Sequence, residues 1–324
     1  MVKKSVLVTG GLGCFGGGLC RYLQDLNFHV IIGTSRINAT LPEKLKKCEL
    51  VYTDFNSAEQ LLEVCLDVDF IIHLATVNAQ QSLNNPKLAI EVNGIGTYNL
   101  IEASINSKVK YFLYFSTAHI YGAALSGLID ENTLPKPSHP YSITHRLAED
   151  LLLDSVNNNK INGGIIRLSN SIGLPLVREA NCWMLFVNDA CKQAIMKRCI
   201  KINSDPSTER DFIPMNSVFE IVESFLSKRP CSNFPVYNVG GGRSYSLLEI
   251  SELIAQCCQD LFNFKPELIY MKKNKIIGSS LDYSITKLKN EIEFDLSNDL
   301  IPSIKEILIY CQSEFIREPS GLSN

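Results

Sequence analysis

The sequence predicts an α/β protein with a doubly wound parallel sheet and a smaller C-terminal lobe. Three observations lead there. Short apolar runs alternate with helical stretches, the first run breaks straight into a glycine turn, and the runs are nearly continuous, as strands buried on both faces require. Strands are expected at Ser5 to Val8, His29 to Ile32, Glu49 to Tyr52, Phe70 to Leu74, Tyr111 to Ser116 and Gly164 to Leu168. After Gly173 the rhythm changes. Pro175, a helical stretch Ala180 to Arg198 and irregular polar segments follow. Residues 1–173 therefore read as one domain and 174–324 mainly as a substrate-binding lobe, with segments near 211–240, notably a late strand Val236 to Val239, rejoining the first. Ser244 to Cys258 reads as an amphipathic helix opened by Ser246 with Glu249 in capping-box spacing, and the tail from Glu318 reads as frayed.

The first strand runs into Thr9-Gly10-Gly11-Leu12-Gly13-Cys14-Phe15-Gly16, and a helix-like stretch, Gly17 to Asp25, follows. A strand, a glycine loop and a helix start in this order form a cradle for a dinucleotide of the Rossmann kind. Gly10 permits the sharp turn, Gly13 lets backbone approach a pyrophosphate, and Gly16 lets helix and strand pack closely. Two glycine registers are possible, one counted from Gly10 and one from Gly11. Asp54, just after the third strand, suits an adenine amino group or an ordinary turn cap. The second strand ends in Gly33-Thr34-Ser35-Arg36, where a carboxylate for the ribose 2′-hydroxyl is missing. A hydroxyl and a guanidinium suit a 2′-phosphate instead, which favours NADP while leaving NAD possible.

At 324 residues and 45% hydrophobic, the chain is long enough for a full core. A net charge of −3, from 31 basic and 34 acidic residues without a basic block, points to neither nucleic acid nor a membrane surface as a partner. Eleven cysteines without a Cys-x-x-Cys pair argue against a disulfide framework or a metal site, and a reducing, cytoplasmic location is expected. Lys3-Lys4 precede an apolar run too short for a signal peptide.

Further on, Ser116-Thr117-Ala118-His119 follows a strand, and Pro140-Tyr141-Ser142-Ile143-Thr144-His145 opens a helix. A spacing of four puts Tyr141 and residue 145 on one face, whereas Arg146 is turned about 100° further around the helix. With His73-Leu74-Ala75, Asn93, Arg167-Leu168-Ser169-Asn170, Arg210-Asp211-Phe212, Tyr237-Asn238-Val239-Gly240 and Leu281-Asp282-Tyr283 in this order, nearly the whole chain resembles the extended short-chain dehydrogenase/reductase family. That family comprises nucleotide-sugar epimerases, dehydratases and ketoreductases.

The resemblance implies hydride-transfer chemistry with Thr117, Tyr141 and residue 145. It also implies cofactor contacts from Gly10, Gly13, Cys14, Phe15, Gly16, Ser35, Arg36, Asp54, Phe55, Leu74, Ala75, Asn93, Tyr141 and His145, and substrate contacts from Asn170, Arg210 and Asp282. The family's lysine is His145 here, and a neutral imidazole leaves the Tyr141 phenol protonated, a proton donor rather than a base. Ala118-His119 replaces the acidic pair of the 4,6-dehydratases, and His119 stands where similar synthases place a proton-transfer residue. Trp183 and Phe186 are candidates to stack on a base or to pack in the core, and Met271 to Ser280 lacks an arginine often found before the aspartate matching Asp282. The expectation is a cytoplasmic NADPH-dependent reductase of a nucleotide-activated keto-sugar, dimeric through the helices Thr97 to Ser104 and Tyr141 to Leu153. The alternatives are an NAD-dependent nucleotide-sugar 4-epimerase and a non-catalytic cofactor-binding protein.

Overall fold

The computed structural model describes residues 3–177, 179–230, 234–271, 280–292, 294 and 299–316. The expected frayed tail and residues 272–279 lie outside them. Seven parallel strands form the central sheet: β1 Ser5–Thr9, β2 His29–Thr34, β3 Glu49–Tyr52, β4 Phe70–His73, β5 Tyr111–Thr117, β6 Gly163–Leu168 and β7 Val236–Val239. Their spatial order is β7-β6-β5-β4-β1-β2-β3. The chain reverses direction across the sheet between β1 and β4, and the crevice at such a switch point is where ligands bind in open α/β sheets. All seven residues of β5 are buried, which explains its run of aromatic and aliphatic side chains from Tyr111 to Phe115 before Ser116 and Thr117.

Helices cover both faces. On one, Leu19 and Leu23 of the helix Gly16–Asp25 and Phe219 and Phe225 of the helix Met215–Lys228 pack on Val6, Val8 and Ile166. On the other, Leu100, Ala148 and Leu152 from the helices Thr97–Asn106 and Pro140–Asn157 pack on Leu7, Ile71 and Phe112. The opposite directions of successive residues in a strand make this division, since side chains alternate between faces with period two. A separate apolar cluster joins the helices Phe186–Lys197, Leu247–Phe262 and Ile301–Phe315 to a two-stranded pair, Cys199–Ile202 and Glu267–Tyr270.

Two helix starts differ from expectation. The helix expected from Ala180 begins at Phe186, because the Asn181 side chain accepts the Trp183 N–H at 3.1 Å and turns the chain before Leu185 enters the helix from extended backbone. The helix expected from Ser244 begins at Leu247, since Ser244–Ser246 pair antiparallel with Glu209–Asp211. Its capping box is present: Glu249 N–H donates to Ser246 Oγ at 3.1 Å, and Ser246 N–H to Glu249 Oε2 at 2.6 Å. Trp183 is used in packing, stacked on Tyr310 with Lys192 over its ring, and Phe186 packs against the same core. Among the described residues no helix is long and apolar enough to cross a membrane.

Candidate active site

The glycine loop lies at the carboxyl end of β1. Gly10 has φ +71°, and a Cβ there would stand 2.8 Å from the Ala75 backbone nitrogen. A Cβ at Gly16 would overlap the Gly10 carbonyl, and one at Gly13 would meet only that same oxygen. A Cβ at Gly11 would stand 2.9 Å from the Ile32 side chain, so both registers are sterically required, and the positive φ marks Gly10 as the turn. The helix Gly16–Asp25 has no side-chain cap at Phe15, and of its first N–H groups that of Gly17 donates to the Gly13 carbonyl at 3.4 Å. A cradle without side chains beside an uncapped helix N-terminus fits the pyrophosphate of a dinucleotide.

Gly10 and Gly13 open onto a groove of about 410 Å³ lined further by Ser35, Arg36, Asp54, Phe55, Leu74 and Ala75. Ser35 and Arg36 are exposed at its rim. Asp54 is also a turn cap, accepting the Asn56 N–H at 2.9 Å with one carboxylate oxygen. Other expected cofactor residues sit beneath this surface. The Phe15 ring packs against Phe115 and Phe219 at 5.2 and 5.0 Å, and burial pushes the Cys14 thiol up to about 12. Cys14 and Phe15 are half-buried, whereas Asn93 is buried: it accepts the Val77 N–H at 2.7 Å and donates to Thr144 at 3.0 Å, fastening the loop after β4 to the helix Pro140–Asn157. The sequence reading missed Thr76 and Val77 in the groove wall, although both directly follow Leu74-Ala75.

Tyr141 and His145 lie one turn apart on that helix, with ring centroids 4.4 Å apart. Thr117 ends β5 and hydrogen-bonds the Tyr141 phenol, which burial nevertheless pushes up to about 12. His145 is 2% exposed, lies behind the groove wall, and burial lowers its pKa to about 3. Its ring nitrogens contact Tyr114 at 2.7 Å and Thr76 at 3.3 Å. His73, at the end of β4, is likewise lowered to about 3 by burial and sits between Thr9 at 2.6 Å and Thr97 at 2.9 Å.

These buried imidazoles make stability depend on pH. Their folded pKa values lie below the unfolded 6.5, so between pH 6.5 and 3 the unfolded chain binds more protons and stability falls as pH falls. Going from pH 6.5 to pH 5 is expected to remove about 1–2 kcal/mol per imidazole. Urea unfolding of wild type and His145→Gln at both pH values isolates the second one. Equal losses in the two proteins would show that His145 is not buried neutral.

A second pocket, about 90 Å³, is lined by Thr117, His119, Asn170, Glu209, Arg210 and Tyr283. Asn170 Nδ2 donates to the Asp211 carbonyl at 2.9 Å. Arg210 makes no ion pair among the described residues, and burial lowers its pKa. Burial, then Arg210 and His139, lower the pKa of His119, whose outer edge remains open to solvent. Asp282 does not reach the pocket. Within the strand Leu281–Tyr283 its neighbours turn inward and Asp282 is exposed on the other side, as period-two alternation requires. Glu209, missed by the sequence reading, accepts the Leu281 N–H at 2.6 Å and lines the pocket together with Asp211.

Beneath the pocket, fully buried Arg167 on β6 meets Glu149 of the helix Pro140–Asn157 in a two-pronged pair, Nε to Oε1 at 3.1 Å and Nη2 to Oε2 at 2.8 Å. Arg167 also donates to Tyr121 at 2.8 Å, whose hydroxyl donates to Asn238 at 2.7 Å. The network ties helix, sheet and pocket floor together.

A glycine cradle at the switch point of a seven-stranded parallel sheet, with a threonine at a strand end and a tyrosine on the following helix, defines a dinucleotide-binding oxidoreductase fold of the extended short-chain dehydrogenase/reductase type. The model of the NAD dependent epimerase/dehydratase family matches residues 6–240, and the chain belongs to this family. It is 29% identical over 276 residues to a GDP-6-deoxy-D-talose 4-dehydrogenase of Aggregatibacter actinomycetemcomitans, covering 84% of this chain and 86% of that one. Among solved structures it resembles RMD from Pseudomonas aeruginosa complexed with NADPH, with a TM-score of 0.78, 21% identity and coverage of 96% and 98% of the two chains. It is similarly close to MoeE5 in complex with UDP-glucuronic acid and NAD, with a TM-score of 0.79, 21% identity and coverage of 95% and 99%.

Proposed function

We propose that the protein reduces a keto group on a nucleotide-activated sugar with NADPH. The observation that carries this reading is the Tyr141 phenol, bonded to Thr117, pushed up to about 12 by burial and facing an imidazole held neutral. Such a phenol holds a proton to give, and among the described residues no cation beside it turns it into a base. The cofactor, when bound, supplies the hydride. Thr117 hydrogen-bonds the substrate carbonyl oxygen, and Tyr141 gives that oxygen its proton. Arg210 meets the diphosphate and Asn170 the sugar, while His119 stands ready to exchange a proton at the carbon beside the keto group. Ser35 and Arg36 at the groove rim favour the 2′-phosphate.

The family description and MoeE5's NAD support a second reading, an NAD-dependent nucleotide-sugar 4-epimerase. That reaction begins by oxidising a hydroxyl and needs a base where this site holds an acid. A cytoplasmic homodimer belongs to the proposal as well: Ile95, Tyr98, Ile143 and Leu147 form exposed apolar positions on and beside the helices Thr97–Asn106 and Pro140–Asn157.

Calorimetry tests the cofactor. NADPH is expected to bind more tightly than NADH, and Arg36→Ala to weaken NADPH roughly 3- to 10-fold, the range of one exposed charge-assisted contact, without changing NADH. Equal affinities in wild type, or a preference for NADH that survives Arg36→Ala, would transfer the assignment to the epimerase.

A further inference from the structure

His145 has no free donor. Thr76 has one hydroxyl hydrogen and two acceptors within reach, the Val77 carbonyl at 3.2 Å and, in one tautomer, His145 Nε2 at 3.3 Å; given to Val77, it leaves Thr76 Oγ1 only to accept from His145. In that arrangement the proton on Nε2 is donated to Thr76, and Nδ1 is the lone-pair nitrogen that accepts the Tyr114 hydroxyl at 2.7 Å. The order is Tyr114 O–H to Nδ1, Nε2–H to Thr76, Thr76 O–H to Val77. Both ends are held: Tyr114 is buried within β5, and the Thr76-Val77 loop is fastened through Asn93 to Thr144, the residue before His145. His145 itself is walled off, whereas Thr76 lines the groove. Thr76 Oγ1 keeps one lone pair for a hydroxyl arriving there.

We infer that Tyr114 and Thr76 are positioning residues that hold His145 in its neutral Nε2–H tautomer, and that the Thr76 hydroxyl, rather than the imidazole, is the group this chain offers to a ribose hydroxyl of the cofactor. The inference rests on the proposed cofactor groove but on no particular sugar. Titratable groups facing the imidazole are the phenols of Tyr114 and Tyr141, with His73 and His119 farther off. The nearest carboxylate on the same helix, Glu149, is committed to Arg167. Among the described residues nothing anionic is placed to draw a second proton onto the ring, and the buried Tyr114 gives a proton no way out. The chain of hydrogen bonds fixes an orientation; it does not conduct.

The test is nitrogen NMR of wild-type protein labelled at histidine, with His145→Gln identifying the resonances. The expected pattern is a protonated Nε2 and a bare Nδ1, unchanged from pH 8 to pH 5; the other tautomer, a mixture, or titration near pH 6.5 overturns the inference. In Tyr114→Phe the pattern should become a mixture of tautomers, and a single retained tautomer would deny Tyr114 its role. Titration with NADPH and with NADH reads the second half. Thr76→Val should raise both dissociation constants roughly 3- to 10-fold, as one lost hydrogen bond does, and Thr76→Ser should restore them. Wild-type affinity in Thr76→Val would remove the ribose contact, and because neither readout requires turnover, these results stand apart from whether a keto-sugar is the substrate.

Discussion

Tyr141→Phe is expected to lower kcat by ~10²–10⁴-fold, the contribution of a positioned proton donor, while leaving NADPH affinity nearly intact. The phenylalanine ring fills the same space beside His145, so the 4.4 Å ring contact and the helix remain, and only the hydroxyl bonded to Thr117 is lost. Thr117→Ala should be milder, because it removes a hydrogen bond to the carbonyl oxygen but not the proton that oxygen needs. Turnover of a 4-keto sugar nucleotide with NADPH gives kcat, and calorimetry gives affinity. Activity in Tyr141→Phe comparable to wild type would place the proton donor elsewhere and remove the phenol from the proposed reaction. A parallel loss of cofactor binding would instead make Tyr141 part of the groove.

Glu149→Leu is expected to produce the largest loss of stability, about 3–5 kcal/mol, because it leaves a buried guanidinium without its counter-charge. Both partners are essentially inaccessible, at 1% and 0% side-chain exposure, so water cannot replace the lost carboxylate. Arg167 would keep Tyr121 and the Glu131 carbonyl, neither of which carries a full charge. Adding Arg167→Met to Glu149→Leu should recover much of the loss, since two apolar side chains remove the charge along with its partner. Denaturant midpoints of the single and double variants decide this. A single variant within about 1 kcal/mol of wild type, the ordinary scale for surface pairs, would mean the guanidinium finds solvent in the folded protein.

The features legible in the sequence are those set by neighbours along the chain. Apolar runs gave the six strands β1 to β6 within two residues, and the capping pair Ser246–Glu249 was readable because its members are three residues apart. Phe15 and Asn93 were legible as members of motifs but not as a half-buried and a buried side chain, since their packing depends on Phe115, Phe219 and Thr144 far along the chain. Asp282 stood inside a recognisable motif, yet which way it points depends on how its strand pairs with Gly127–Ile129.

The sequence by itself therefore determined the sheet, the glycine cradle, and the placement of Tyr141 and His145 on one helix face, all consequences of local spacing and of the periods of strand and helix. Only the tertiary structure decided what His145 is. Its partners come from 31 and 69 residues away, Tyr114 inside β5 and Thr76 in the loop after β4, and no local pattern specifies that meeting. The same holds for its charge: an imidazole at the helix surface would titrate near its ordinary value, and it is the packing of helix, sheet and loop around this one that takes it out of water and keeps it neutral.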